Sequence, residues 1–294
     1  MYNDLSIYEN IMTVESLGWQ IGDRAFIWGK RTYLMGVLNV TPDSFSDGGL
    51  FDSPEAAVAQ ADRMAAQVDI LDIGGESTRP GAIAIDAEQE LARVIPVIEA
   101  IRKAHPHLPI SIDTTKAKVA ESALQAGANV INDVSAGRFD PDMLMLAGKC
   151  QVPLILMHMQ GSPRSMQSDP QYKHVVREVK QFLADAISVA IACGLPKHLI
   201  AIDPGIGFGK TLEHNLTLLR DLGEFRELGC PMLVGVSRKS FIGKLCDRPN
   251  PSDRLWGTAA ACTAAIAGGA DILRVHDPIE IGDVCRVGDA IFRG

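Results

Sequence analysis

The sequence has no excess of positive charge, no long apolar run and no paired-cysteine motif. Its 28 Lys and Arg residues are outnumbered by 36 Asp and Glu residues, which leaves a formal net charge of −8. A nucleic-acid partner is not expected, because neutralising phosphates requires clustered Lys and Arg. The least charged stretch near the C-terminus, residues 255–270, is mostly Ala, Gly and Thr. It is too short and too weakly apolar to predict a membrane span.

Targeting and metal-binding signals are also missing. The N-terminus lacks the basic and apolar regions of a secretory signal. The histidines and cysteines do not have the spacing of a zinc site. The six cysteines are scattered between positions 150 and 285 without a Cys-x-x-Cys pair, which is typical of a reducing compartment. We therefore expect a soluble cytoplasmic protein.

What the chain does contain is a repeated pattern of apolar runs. Each run ends in a polar residue, and a loop rich in Gly, Ser or Thr and then a helical pattern follow it. The runs occupy residues 34–38, 68–73, 110–112, 128–131, 152–157, 199–202, 232–236 and 272–275. Eight strands that are each followed by a helix predict a single (β/α)8 TIM barrel, with a doubly wound open sheet as the alternative.

The N-terminal part does not follow this pattern. Residues 1–22 are polar and irregular, and we predict a loosely held arm there. Residues 24–35 predict a hairpin that leads into the first barrel strand. The predicted domains are therefore an arm at 1–22 and one (β/α)8 barrel at 23–294.

In such a barrel the residues at the C-terminal ends of the strands converge on one mouth, where barrel enzymes place their sites. Here those ends carry acids, amides, a lysine and an Arg/His pair: Asn39, Asp72, Asp113, Asn132, His158, Asp203, Ser237, Lys239, Arg274 and His276. A single acid after a strand is often only a helix cap. Together, Asp113, Asn132 and Asp203 suit a planar heterocycle with several N–H donors. We expect His158, between two methionines, to be a packed histidine outside the site.

Two loops at the predicted mouth carry further candidates. Residues 34–49 run from a strand into a Thr, Pro, Asp, Ser and Gly loop, with Asn39 at the strand end and Asp47 before a Gly pair. This composition indicates a lid. The loop after the second strand holds Arg79, a donor fork suited to phosphate or carboxylate. A structural ion pair with Glu76 or Asp72 explains Arg79 equally well.

Three later segments complete the candidate set. Residues 203–211 end like a Walker A loop, but Pro204 occupies a position where that motif needs glycine, so ATP hydrolysis is not predicted. We expect a sharp turn with Phe208 available for stacking. Lys239 is either solvated or directed into the mouth. Arg274 and His276 share one strand face and suit an anion cradle, unless Arg274 merely pairs with Asp277.

Five segments resemble the signature segments of the bacterial dihydropteroate synthases: residues 38–49, 74–81, 203–210, 237–240 and 274–277. The first two are long and specific, and the resemblance extends from about residue 26 to the C-terminus. It implies a barrel that usually dimerises and is a sulfonamide target. The implied reaction, in folate biosynthesis, joins 4-aminobenzoate to 6-hydroxymethyl-7,8-dihydropterin diphosphate and releases diphosphate.

The resemblance also implies residue roles. The pterin ring would be held by Thr78, Asp113, Asn132, Asp203 and Lys239. The diphosphate would be held by Asn39, Arg274 and His276, and Asn39 would also bind Mg²⁺. The aminobenzoate would be bordered by Pro80, Phe208 and Ser240. The expected catalytic residues are Asp47, Arg79 and Lys239, the first two on loops that close over the substrates.

Other functions stay open at this point. A pterin-binding methyltransferase of the same superfamily would share the Asp and Asn residues but would not need Asp47, Arg79 or the Arg274/His276 pair. A non-catalytic pterin-binding paralogue would tolerate the loss of loop residues, and none is missing. A phosphate-binding barrel isomerase leaves the acids unexplained.

Overall fold

An antiparallel hairpin precedes the barrel in the computed structural model, which describes residues 18–40, 54–78 and 81–294. Its strands are β1 (Gly18–Ile21) and β2 (Arg24–Ile27). The predicted hairpin is therefore present, but its predicted position at 24–35 is wrong. The turn falls at Gly22, whose φ of +59° suits glycine, and β1 comes from residues assigned to the arm. The remainder of that arm, residues 1–17, lies outside the described residues.

Aromatic packing explains where the hairpin sits. Trp19 lies opposite Phe26, and both rings are buried with Tyr33 against the apolar residues inside the N-terminal end of the barrel. The indole Nε1 of Trp19 donates to the carbonyl oxygen of His198 at 3.0 Å. The hairpin thus seals the end of the barrel opposite the predicted mouth.

The barrel strands follow the eight predicted apolar runs. They are β3 (Tyr33–Asn39), β4 (Ile70–Gly74), β5 (Ile110–Asp113), β6 (Val130–Asp133), β7 (Leu154–Met157), β8 (Ile200–Asp203), β9 (Leu233–Val234) and β10 (Ile272–Val275). All are parallel, in the order β8-β7-β6-β5-β4-β3-β10-β9. A parallel bridge between Ile202 and Met232 joins the two ends of this order. The predicted (β/α)8 barrel is confirmed over the open sheet.

Helices cover the outside of this ring. They are α1 (Pro54–Ala65), α2 (Ala87–Ala104), α3 (Ala117–Gln125), α4 (Asp142–Cys150), α5 (Val175–Ala192), α6 (Leu212–Arg220), α7 (Ser240–Cys246), α8 (Leu255–Ala267) and α9 (Pro278–Phe292). Short 3₁₀ turns lie at Lys197–Leu199, Leu222–Leu228 and Pro251–Arg254. Within the described ranges, no helix is both long enough and apolar enough to cross a membrane.

The core has the two layers that a barrel requires. Apolar strand residues that face outward pack against the helices, and those that face inward, such as Met35 and Ile70, fill the N-terminal half of the barrel interior. The C-terminal half of the interior is filled by polar side chains instead, including the fully buried Asp72. Because burying polar groups is costly unless they are paired, this change marks the functional end of the barrel.

Candidate active site

One row of residues crosses the barrel mouth at the ends of β3 to β6. Strand register pairs Asn39 with Gly74, Gly74 with Asp113, and Asp113 with Asn132. In-register residues of parallel neighbours point the same way, so the side chains of this row face the mouth together. Gly74 leaves a gap in the row: a Cβ there would lie 3.6 Å from Asn39 Oδ1 and 3.7 Å from Asp113 Oδ2.

A buried ion network lies beneath this row. Arg274 Nε contacts Asp72 Oδ2 at 2.6 Å, and its Nη2 contacts Asp113 Oδ2 at 2.7 Å. Asn132 Nδ2 donates to Asp72 Oδ2 at 3.2 Å. The alternative in which Arg274 pairs with Asp277 is wrong, since Asp277 pairs with Arg238. Arg274 therefore connects β10 to β4 and β5 across the barrel.

Asp72 is a charged residue of the site that the sequence pattern does not predict there. The pattern predicts only that it lies at a strand end, although an acid between Leu71 and Ile73 in an apolar run is a usable signal. Its side chain is fully buried, and it orients both Arg274 and Asn132.

The charged groups at the mouth have shifted pKa values. Burial raises the pKa of Asp113 to about 7, although Arg274 opposes this rise. Burial likewise raises the pKa of Asp203 to about 6, against the Gly205 N–H and Lys239. For Lys239, burial lowers the pKa to about 8 despite the nearby Asp203. Burial opposes the charge on Arg274 too, but Asp72 and Asp113 raise its pKa above the ordinary value.

The loop after β8 is a set of sharp turns. Asp203 Oδ1 accepts a hydrogen bond from the Gly205 N–H at 2.7 Å. Gly205 has φ +68°, and a Cβ there would lie 1.9 Å from the carbonyl oxygen of His158, so only glycine fits. The loop then places the ring of Phe208 with its centroid 4.0 Å from Lys239 Nζ, a cation–π distance. Phe208 is thus half-buried and lines the mouth cavity.

The loop after β9 supplies the opposite wall. Ser237 Oγ accepts from the His276 N–H at 3.2 Å and lies 3.1 Å from His276 Nδ1, which orients that imidazole. Lys239 precedes α7, and Ser240, the first residue of α7, is exposed beside it. Lys239 was predicted to be either solvated or directed into the mouth, and in the structure it lines the mouth.

The structure brings most predicted site residues to one cavity. Those that line it are Thr78, Asp113, Asn132, Asp203, Phe208, Lys239, Arg274 and His276. Asn39 lies on the same row, at the end of β3. Asp47, Arg79 and Pro80 lie outside the described residues.

Several lining residues were not predicted: Val134, Met157, Ile206 and Gly235. Ser237, which also lines the cavity, was expected at the mouth. Most of the four unpredicted residues are apolar and carry no chemical signal of their own. Their places at the strand ends could have identified them as lining residues, since Met157 ends β7 and Val134 directly follows β6. They would give an aromatic heterocycle apolar surface beside the polar groups.

His158 is packed, as predicted. Its ring lies edge-on to Phe182 with centroids 4.8 Å apart, and its Nδ1 is 2.9 Å from Lys210 Nζ. Burial lowers the pKa of His158 to about 2, with Lys210 and Arg138 adding to the effect. The imidazole is therefore neutral and accepts a hydrogen bond at Nδ1.

Comparisons with known proteins agree with this geometry. Residues 35–276 match the family model described as pterin binding enzyme. The chain is 52% identical over 274 residues to a dihydropteroate synthase of Synechocystis sp., covering 93% of this chain and 94% of the relative. It is 46% identical over 262 residues to that of Escherichia coli, covering 89% and 92%.

Solved structures give the same result. Dihydropteroate synthase of Xanthomonas albilineans with 4-aminobenzoic acid superposes with a TM-score of 0.84 at 47% identity, covering 90% of this chain and 94% of that one. A sulfonamide drug complex of the Yersinia pestis enzyme superposes with a TM-score of 0.88 at 39% identity, covering 94% and 99%.

Proposed function

The chain belongs to the pterin binding enzyme family and, within it, to the dihydropteroate synthases, and from this we infer how its mouth carries out the reaction. It is a transferase of folate biosynthesis that condenses 4-aminobenzoate with 6-hydroxymethyl-7,8-dihydropterin diphosphate. The observation that carries this conclusion is that Arg274 and His276 line the same cavity as Asp113, Asn132 and Asp203, since a pterin-binding methyltransferase would not need the Arg/His pair. The methyltransferase and the non-catalytic paralogue have no comparable support.

Recognition of the pterin ring follows from the donor and acceptor types. We propose that Asp113 and Asp203 accept from ring N–H groups, because ionised carboxylates only accept. Asn132 can both donate and accept, and Asp72 fixes which way its amide faces. Lys239 supplies the complementary donor, and Thr78 borders the ring.

The aminobenzoate would lie between Phe208, Ser240 and the loop that carries Pro80. The amine of this substrate is neutral at pH 7, so its attack needs no strong general base. This route therefore does not require an activated serine, cysteine or histidine at the mouth.

Departure of diphosphate is then the demanding step. We propose a dissociative substitution, in which the methylene carbon becomes positive before the amine attacks. Asp47 would stabilise that carbon when its loop closes, and Arg79 would close with it. Arg274 and His276 would hold the diphosphate, since both line the mouth next to Asn39. If the bond between the methylene carbon and the diphosphate broke only when aminobenzoate was added, departure of diphosphate before attack of the amine would be contradicted.

A magnesium ion fits the mouth as a companion of the diphosphate. Across the described residues, no group of three or more His, Cys, Asp or Glu side chains could hold a metal ion. Mg²⁺ commonly binds substrate phosphates with only one or two protein oxygens, and Asn39 offers one at the edge of the row. When bound, the ion would neutralise charge on the leaving group.

We also propose a homodimer in the cytoplasm. Helix α9 exposes Ile279, Val287 and Ile291, whose spacing of eight and four residues places them on one face. Trp256 on the adjoining α8 is 83% exposed. An apolar surface of this kind is typical of a protein interface. The unpaired cysteines agree with a reducing compartment.

The direct test of the function is diphosphate release. The protein is mixed with pterin diphosphate, aminobenzoate and Mg²⁺, with and without a sulfonamide. We expect diphosphate release from pterin diphosphate and Mg²⁺ that aminobenzoate accelerates, and we expect the sulfonamide to slow the release seen with aminobenzoate. No release from the complete mixture would refute the synthase activity.

A further inference from the structure

Two consecutive pairs of residues join the loops that follow β9 and β10. The first pair lines the mouth, where Ser237 Oγ accepts from the His276 N–H at 3.2 Å and lies 3.1 Å from His276 Nδ1. The next residue of each loop forms the second pair. Arg238 Nε donates to Asp277 Oδ2 at 2.9 Å, and Nη2 of the same guanidinium donates to Asp277 Oδ1. Arg238 and Asp277 lie outside the lining of the mouth cavity, so the proposed reaction does not use them directly.

The carboxylate of Asp277 serves this ion pair instead of its own helix. An aspartate at the start of a helix commonly accepts a hydrogen bond from an N–H of the first turn. Asp277 occupies the N-cap position of α9, but its side chain makes no such bond. Both of its oxygens bind Arg238, and both side chains are partly buried. A bidentate pair of this kind fixes orientation as well as distance, so it links the two loops rigidly.

The backbone of Arg238 is held independently of the ion pair. Its φ of +59° lies in the left-handed region, which residues other than glycine rarely adopt. Its N–H donates to Thr258 Oγ1 at 3.0 Å, and its carbonyl oxygen accepts from Arg254 Nη1 at 2.8 Å. Thr258 is fully buried on α8, and Arg254 ends the 3₁₀ turn before that helix. These contacts keep the turn in place when the side chain of Arg238 changes.

The ion pair has unequal effects on its two neighbours in the mouth. Lys239 follows Arg238, but the first turn of α7 also holds it, since its carbonyl oxygen accepts from the Ile242 N–H at 3.1 Å. His276 lies between the end of β10 and Asp277, so the paired carboxylate belongs to the very next residue. Loss of the ion pair should therefore displace His276 more than Lys239.

We propose that Arg238 is a positioning residue whose ion pair with Asp277 holds His276 at the distance from Lys239 that a pterin diphosphate spans. The inference rests on the proposed function, which assigns the diphosphate to His276 and the pterin ring to Lys239. A ligand that must contact both residues binds more tightly when their spacing is fixed beforehand. Arg238 thus acts on binding of the diphosphate, through His276, and not on binding of the ring.

Ligands with and without the diphosphate separate this role from general support of the fold. The compound 6-hydroxymethyl-7,8-dihydropterin has the ring but no diphosphate, so its affinity does not depend on the position of His276. Loss of the ion pair should weaken binding of pterin diphosphate and spare the compound without diphosphate. A general loss of structure at the mouth would weaken both ligands alike.

The experiment is calorimetric titration of both ligands, without aminobenzoate or Mg²⁺ so that the substrate is not consumed. The full-length proteins are the wild type, Arg238→Asn and Asp277→Asn, with Arg220→Asn as the matched control. Asparagine tolerates the left-handed backbone, so Arg238→Asn removes the ion pair and keeps the turn. For the first two variants we expect the affinity for pterin diphosphate to fall about tenfold. Their affinity for the compound without diphosphate should stay at the wild-type value.

The control removes an ion pair far from this site. Arg220 pairs with Glu213 at 2.8 Å on α6, and both side chains are exposed. Arg220→Asn should therefore bind both ligands as the wild type does. The double variant Arg238→Asn/Asp277→Asn should bind pterin diphosphate no more weakly than either single variant, because the two residues act as one pair.

Three results would overturn the inference: unchanged affinity for pterin diphosphate in Arg238→Asn and Asp277→Asn, equal weakening of both ligands, or additive losses in the double variant. The two single variants alter different loops, so either one tests the inference if the other fails to fold. If the wild type bound neither ligand, the proposed function would fail. Wild-type binding of both ligands, with the same ratio of affinities in every variant, defeats this inference alone.

Discussion

Asp203 combines burial, a backbone hydrogen bond and an open face toward the mouth. Asp203→Asn would retain an oxygen for the Gly205 N–H, but its amide would place donors opposite the donors of the pterin. We expect pterin binding to weaken by about 1.5–3 kcal/mol, as for a hydrogen bond to a charged group. Calorimetry measures this loss directly.

The matched control for that change is Asp221→Asn. Asp221 is exposed at the C-terminus of α6, away from the mouth cavity. It undergoes the same chemical replacement and should leave pterin affinity at the wild-type value. Equal affinities for Asp203→Asn and the wild type would remove Asp203 from the pterin site.

The raised pKa of Asp113 predicts how the free energy of unfolding depends on pH. Folding raises its pKa from 3.8 to about 7, so the folded state holds this proton more tightly than the unfolded state. Its contribution to the free energy of unfolding therefore falls as the pH rises through that window. Asp113→Asn removes the penalty and leaves Arg274 paired with Asp72.

We thus expect the Tm of Asp113→Asn relative to wild type to rise by about 2 °C or more between pH 5 and pH 8. Pterin binding should be lost at both pH values. Thermal unfolding followed by circular dichroism checks the first point. A Tm difference that does not change with pH would show that Asp113 is ionised at little cost.

The sequence predicted which residues belong to the site better than it predicted which residues pair with each other. Asp113, Asn132 and Asp203 could be found because each ends an apolar run. The pairing of Arg274 with Asp72 could not, since 202 positions separate them and only closure of the barrel brings them together.

The loop after β4 is held by a partly buried cluster of charged side chains. Lys116 Nζ contacts Glu76 Oε2 at 2.5 Å and Glu90 Oε2 at 2.6 Å, and Glu90 is fully buried. Glu76 Oε1 also accepts from the Ile85 N–H at 3.2 Å, which ties the two ends of the loop together. The loop that carries Arg79 and Pro80 is therefore anchored at both ends.

Lys116→Met would leave two acids facing each other without a cation. We expect the free energy of unfolding to fall by about 3–5 kcal/mol, the usual cost of breaking a buried ion pair. The KM for aminobenzoate should rise as well, because the loop loses its anchor. Urea unfolding and initial-rate measurements test the two effects.

Lys118→Met is the control two residues along the chain. Lys118 pairs with Glu88, and both side chains are exposed. Such surface pairs contribute little, so we expect a change within about 0.5 kcal/mol. Similar small losses in both variants would mean that the Lys116 cluster does not anchor the loop.

The sequence predicted strands correctly where a long repeating pattern indicates them. It failed for a strand whose position depends on tertiary contacts. All eight barrel strands follow alternations of apolar runs and loops that repeat along the chain. The short strand β1 has no such repeat. Trp19 is buried because it packs on apolar residues from distant barrel strands, and sequence spacing does not reveal this packing.

At the scale of the whole molecule, the exposed face of α9 predicts the oligomeric state. Val287 is 61% exposed and lies between Ile279 and Ile291 on that face. Val287→Glu would place a charge in the proposed dimer interface, where an unpaired charge is costly. We expect this variant to elute as a monomer while the wild type elutes as a dimer.

Size-exclusion chromatography with light scattering measures this, with Val189→Glu as the control. Val189 is 51% exposed on α5, so the same substitution there should leave the dimer intact. A dimer that survives Val287→Glu would place the interface elsewhere on the surface.

We assign the synthesis of 7,8-dihydropteroate to this barrel mouth. The most direct measurement is detection of that product by mass spectrometry after incubation with pterin diphosphate, aminobenzoate and Mg²⁺. Wild type and Asp221→Asn are predicted to form it at similar rates, and Asp203→Asn much more slowly. Absence of dihydropteroate with the wild type, or equal rates for all three proteins, would contradict the assignment of the activity to this site.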